Sequence, residues 1–331
     1  MPPITRRTML FNSAAASLAL AGCKHMPSGA TSQGANGKYR VGLVYFAPEE
    51  GADHCQQGIF DGFKEAGLER GRNLDILMSH ANGEISQIPM LIQNYMSQNI
   101  DLILTMTTPC LTAACSVAKN SKVVFTYCYD PVAAGAGTSF TSHLPNVTGV
   151  GSFPPVDDTV AMIKKLIPNV KAVGTVYNNA EANSVKVISV AREAFKKAGI
   201  KLEEVTANNT SEVFQAAQIA CYRNVEAVWV TGDNTALQSF DGIVKATQNA
   251  HKPLIINDPE FTAKGALVCV GLGWYPPGKA GGLLAARVLK GENPSNIPFQ
   301  EVAEQKLVLN HDVAAKLHIK FPADVEKAAQ A

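Results

Sequence analysis

Two stretches of this chain carry the same design 132 positions apart. The first runs YRVGLVYF, a helical stretch ending GIFDGFKEAGL, then NLDILMSHANGEISQ, a helix and DLILTMTT. The second runs VKAVGTVYN, a helical stretch ending VAREAFKKAGI, then KLEEVTANNTSEVFQ, a helix and EAVWVTGD. Gly42 matches Gly174, Tyr45 matches Tyr177 and Gly67 matches Gly199. Each copy reads strand, helix, strand, helix, strand, with short apolar strands such as Leu102 to Thr105 and Ala227 to Val230. Gly67 and Gly199 fall where a helix ends, a place that favours glycine because the backbone turns left-handed there. Strands alternating with helices imply parallel sheets covered on both faces. Right-handed crossovers make each sheet doubly wound. Two copies therefore predict an α/β protein of two similar lobes.

In such sheets ligands bind beyond the carboxyl ends of the strands. Those ends are Tyr45-Phe46, Thr107-Thr108, Tyr129-Asp130, Tyr177-Asn178-Asn179, Gly232-Asp233-Asn234 and Asn257-Asp258. If the lobes face each other, all six line one cleft that can close around a small molecule. Thr107-Thr108-Pro109 follows a strand and opens a helix. Its hydroxyls and free N–H groups suit a carboxylate or phosphate, and equally suit plain N-capping. Asp233-Asn234-Thr235 repeats that logic in the second copy. The loop Tyr177 to Ser184, which enters a helix, reads either as a ligand loop or as turn chemistry. Asp130 suits a cationic group or the turn at Pro131, and Trp274-Tyr275-Pro276-Pro277 suits hinge packing or a ligand wall.

Length and charge narrow the function. The 331 residues suffice for two domains with good cores. A net charge of +1, with no basic stripe carrying interleaved aromatics, argues against nucleic acid as a partner. No GxSxG, HExxH, phosphate-binding Walker A loop or post-strand GxGxxG is present, so no catalytic residue and no cofactor is expected. Six cysteines follow Cys23 without zinc-site spacing, so no metal is expected either. Cys128, Cys221 and Cys269 lie in apolar surroundings and read as buried free thiols.

The N-terminus has the form of an export signal. Arg6 and Arg7 precede an apolar run from Met9 to Leu20, which is shorter than the roughly 20 residues that span a bilayer. Leu20-Ala21-Gly22-Cys23 has the form of a lipobox, which makes Cys23 the acylated residue. Residues 24–37, KHMPSGATSQGANG, are expected to be a flexible tether.

The stretches GIFDGFKEAG, DLILTMTTP, VVFTYCYDPVAAG, NVTGV, VGTVYNNAEANSVKV, TGDNTA and ARVLKGENPSNIP cover most of residues 40–310 in order. Together they resemble the substrate-binding lipoproteins of ABC importers, in the family that includes tryptophan- and tyrosine-binding proteins. The resemblance implies the periplasmic binding protein fold, two Rossmann-like lobes joined by three crossovers. Lobe 1 would be 38–153 with 276–298, and lobe 2 would be 154–275 with 299–331. It implies a lipid-anchored periplasmic monomer that captures a small molecule, an aromatic amino acid or related carboxylate, by hinge closure. The partner would be an ABC permease in the inner membrane. It implies ligand contacts from Thr107, Thr108, Asp130, Asn178, Asn179, Asp233, Asn234, Asn257 and Asp258. Tyr127, Tyr129, Phe153 and Trp274 would add aromatic surface around the cleft. The chain departs from the family where a Glu-His pair is expected and Pro48-Glu49 stands, and where acidic residues are usual and Ser152 and Gly273 stand. Glu49, Asp53, Asp130, Asp233 and Asp258 remain candidates for an ammonium group. Two alternatives keep the fold: a bulkier apolar ligand such as a lipid or sterol, or docking to a membrane receptor as a sensor.

Overall fold

The structure, a computed structural model, describes residues 37–302 and 304–330. The expected signal segment with Cys23, and all but the last residue of the expected tether, lie outside the described residues. Among the described residues two six-stranded sheets form. The first holds β1 (Tyr39–Tyr45), β2 (Leu74–His80), β3 (Leu102–Met106), β4 (Val123–Cys128), β5 (Val147–Gly151) and, late in the chain, β11 (Gln300–Glu301). The second holds β6 (Ala172–Tyr177), β7 (Lys201–Thr206), β8 (Ala227–Val230), β9 (Leu254–Ile256), β10 (Val268–Leu272) and β12 (Gln305–Leu309). The orders are β11-β5-β4-β3-β1-β2 and β12-β10-β9-β8-β6-β7, so the two sheets are built alike. β3, β5, β8 and β10 are buried along their whole length, as strands covered by helices on both faces must be.

The repeat is visible in detail. Leu68 N–H bonds Phe63 O and Gly67 N–H bonds Lys64 O, while 132 residues later Ile200 bonds Phe195 O and Gly199 bonds Lys196 O. Both are the same two-bond helix ending, with Gly67 at φ +78 and Gly199 at φ +75. Gly42 is needed for a different reason. A Cβ there would sit 2.6 Å from the ring of Tyr95, which is buried on the helix Ile88–Ser97 and donates its hydroxyl to Leu43 O.

Pairing is parallel throughout, except that β12 runs antiparallel to β10. Its direction follows from the connection. The other strands run toward the cleft end of their sheet, whereas β12 starts at that end on leaving lobe 1 and must run away from it. The chain stays with the first sheet through Glu301, three residues past the boundary expected after 298. Phe299 packs edge-on against Phe125 and Phe140, and Gln300 and Glu301 pair with Val150 and Gly151.

One helix pair shapes the first lobe. Gly58 and Gly62 on the helix Glu50–Glu65 face Gly278 and Gly282 on the helix Tyr275–Leu289. A Cβ on Gly58 would lie 2.3 Å from Tyr275 O, and one on Gly282 would lie 2.3 Å from Ile59 O. Only glycine permits such an approach, so the two helices pack backbone to backbone. The six cysteines of the described residues are free, and all but Cys115 are buried.

Candidate functional site

The strand ends of the two lobes enclose a cavity. Thr107, Thr108, Tyr127 and Tyr129 border it from lobe 1; Asn183, Gly232, Asn234, Leu237 and Asp258 border it from lobe 2; Trp274 stands at the crossing between them. Thr107 follows β3 and stands at the N-cap of the helix Thr108–Val117. Its backbone sits at φ +82, a region that costs a threonine on the order of 1–3 kcal/mol, and its hydroxyl is buried without a partner among the described residues. The first turn of that helix, Pro109 apart, leaves N–H groups without intrahelical partners beside the cavity. A strained residue, an unmet hydroxyl and a helix start therefore converge at one point.

Asp258 stands across the cavity. It is fully buried; Oδ1 accepts the indole N–H of Trp274, and Oδ2 has no partner among the described residues. Burial, and then the nearby Glu260 carboxylate, push its pKa well above the usual carboxylate range. Such a group either keeps its proton or waits for a cation. The aromatic wall beside it is tight: Trp274 lies edge-on to Tyr127 at 3.9 Å between centroids and stacks on Tyr129 at 5.9 Å.

A polar frame holds the lobe 2 side. Glu181 is buried and accepts from the N–H and side-chain amide of Asn234, the N–H and hydroxyl of Thr235, and the amide of Asn183. Asp233 accepts from Asn178 N–H at 2.7 Å, Ser184 hydroxyl at 2.6 Å and Ala236 N–H at 2.7 Å. Burial, and then the neighbouring Glu181, raise the pKa of Asp233. These contacts fix Asn183 and Asn234 at the cavity edge.

Of the residues singled out from sequence, Thr107, Thr108, Tyr127, Tyr129, Asn234, Asp258 and Trp274 border the cavity. Asn178, Asp233 and Asn257 lie one layer behind it. Asn178 amide donates to Thr235 hydroxyl, and Asn257 bonds Trp229, Thr159 and Val270, so their polar atoms are spent on structure. Asn179 is exposed, and Asp130 caps its own turn at Val132 and Ala133 while pairing with Lys186 at 3.4 Å; neither borders the cavity. Sequence reasoning placed Gly232 at a strand end facing the cleft and Asn183 in a candidate ligand loop without singling either out, and left Leu237 unassigned. Asn183 was within the polar loop and Gly232 beside Asp233, but Leu237 carried no polar signal.

Comparison with known proteins agrees with this architecture. Residues 40–331 match the family described as ABC transporter substrate binding protein. The chain is 26% identical over 285 residues to a tyrosine-binding protein of Clostridioides difficile, covering 86% of this chain and 82% of that one. It is similar to an ABC domain from Streptococcus pneumonia in complex with L-Trp, with a TM-score of 0.85 and 28% identity over 88% of this chain and 98% of that one. A ligand-free, open substrate-binding protein with adhesive properties from Clostridium difficile gives 0.66 and 26% over 86% and 97%. The family and these neighbours are solute-binding proteins rather than enzymes. The chain thus belongs to the ABC transporter substrate-binding protein family.

Proposed function

We propose that the protein captures an amino acid in the inter-lobe cavity outside the cytoplasm, closes on it by a hinge, and delivers it to the permease of an importer. The observation that carries this reading is the pairing of opposite chemistries across one cavity. The buried, unpaired Oδ2 of Asp258 suits an ammonium group, and the Thr107-Thr108 helix start suits a carboxylate. An α-amino acid presents both. Aromatic amino acids are the first candidates, because the relatives named for their ligands hold tyrosine or tryptophan. Hinge closure is supported by the neighbours. The L-Trp complex and the open protein are almost equally distant in sequence, 28% and 26%, yet backbone agreement is 0.85 with the first and 0.66 with the second. The lobes here lie nearer the arrangement of a ligand-holding protein. Acylation at Cys23 would tether the body to a membrane; fatty-acid label that persists in Cys23→Ala would refute it.

A thermal-shift and calorimetry panel tests the ligand. Tryptophan, tyrosine and phenylalanine should stabilise the protein, while their deaminated and decarboxylated analogues should bind far more weakly. Asp258→Asn should weaken binding at least about thirtyfold, because it removes the charge partner of a buried cation. If lipids or sterols stabilise the protein and amino acids do not, the reading fails.

A further inference from the structure

The inter-lobe space has an inner and an outer part that adjoin, here called chambers. The inner chamber, about 20 Å³, holds Asp258 and the Thr108 helix start. The outer chamber, about 10 Å³, is lined by Tyr45, Phe46, Ala47, Glu49 and Ala52 at the end of β1 and the start of the helix Glu50–Glu65. Each has room for about one water molecule. Thr107, Tyr127, Asn234 and Leu237 border both; of these Tyr127, from lobe 1, and Leu237, from the facing short helix Asn234–Gln238, carry the two large apolar side chains.

The fold places Tyr127 by specific devices. The β4–β5 register shifts between Phe125 and Cys128, so Tyr127 sits on an irregularity, a feature that re-aims side chains beside binding sites. Its φ is +54, left-handed, which is unfavourable for a bulky aromatic. Its hydroxyl donates to Glu49 at 2.8 Å. Glu49 is held in turn as the N-cap of the helix Glu50–Glu65, accepting from Gly51 N–H at 2.7 Å. Trp274 braces the other side of the ring.

We propose that Tyr127, pinned by Glu49 and faced by Leu237, sets the size of the ligand side chain the cleft admits. This rests on the amino-acid reading above: with the lobes parted enough to admit a ligand, its charged groups lie against Asp258 and the Thr108 helix start, and its side chain points outward through the neck that Tyr127 narrows. A small side chain stops short of the ring. An aromatic one reaches the outer chamber only by displacing the ring and breaking its bond to Glu49. The neck therefore penalises large side chains relative to small ones, and Tyr127 is a specificity determinant.

Calorimetry on the full chain with alanine and tryptophan tests this, using wild type, Tyr127→Ala and Leu237→Ala. The preference for tryptophan over alanine should rise about tenfold to a hundredfold in Tyr127→Ala, the range expected when an aromatic side chain gains a buried place. It should rise several-fold in Leu237→Ala, a substitution in a half-buried position that leaves the sheets untouched. A preference that is unchanged or lower in both variants overturns the proposal, since the ring would then be a stacking wall for the ligand. If no variant binds either amino acid, the amino-acid reading itself fails. The neck is then judged by crystals soaked in indole. Indole spanning both chambers in Tyr127→Ala but not in wild type upholds it, and indole in both or in neither overturns it.

Discussion

Asp258 carries a charge problem that an ammonium ligand, as proposed above, would solve. Burial first, and the Glu260 carboxylate second, raise its pKa in the folded protein above the ordinary carboxylate value of about 3.9. Between those two values the folded form holds a proton that the unfolded form has lost. Stability of the ligand-free protein therefore falls as pH rises through that window, with the full benefit present only below the ordinary value. Asp258→Asn removes the titration. Ligand-free Asp258→Asn should melt higher than wild type at neutral pH, and the difference should shrink toward zero near pH ~4. An ammonium ligand pays for ionising Asp258, so below its folded-state pKa binding should release up to one proton. Calorimetry in phosphate and in Tris, whose ionisation heats differ, reads that proton directly. Equal heats in the two buffers would mean that Asp258 does not change its protonation.

At the scale of elements, the helix pair Glu50–Glu65 and Tyr275–Leu289 links the fold to the site. The N-terminus of one carries Glu49, and the residue before the other is Trp274. The four facing glycines fix how close those two ends lie, and a Cβ on Gly51 would already meet Trp274 at 2.7 Å. Gly282→Val must push the helices apart, because its Cβ would fall 2.3 Å from the backbone oxygen of Ile59. A cost of roughly 1–3 kcal/mol in urea unfolding is expected. The separation should also shift the emission of Trp274, since the second tryptophan, Trp229, is buried in the other lobe against Phe195. Unfolding and emission both unchanged would show that the helices tolerate the wider spacing.

At the scale of the whole molecule, three charged pairs among the described residues link the lobes. Lys186 pairs with Asp130 at 3.4 Å, Lys264 with Glu50 at 3.7 Å, and His54 with Glu260 at 3.1 Å, each across the cleft. The two lysine pairs are partly exposed and worth about 0–1 kcal/mol each, which suits the hinge opening proposed above. The tightest approach is steric: a Cβ on Gly232 would sit 1.9 Å from the hydroxyl of Tyr129, whose ring is held by Trp274. Gly232→Ala should therefore act as a wedge. Small-angle scattering with saturating tryptophan should show wild type contracting, and Gly232→Ala staying wider and binding more weakly. A variant that contracts as wild type does would mean that Tyr129 yields.

The repeat, the helix endings at Gly67 and Gly199, and the position of the cleft at the strand ends were all determined by the sequence alone, because they depend on local periodicity and on the handedness of crossovers. The same holds for Thr107, Thr108, Asn234 and Asp258, which stand at strand ends and carry polar groups of the right kind. Three things needed the tertiary structure. The duties of Asn178, Asp233 and Asn257 depend on which hydrogen-bond partners face them across 13 to 98 residues of chain, so sequence could not tell a ligand contact from a structural bond. The direction of β12 depends on where the last crossing delivers the chain. Tyr127 and Leu237 meet at the neck only because two lobes, far apart in sequence, are brought face to face, and no local pattern encodes a distance across a cleft.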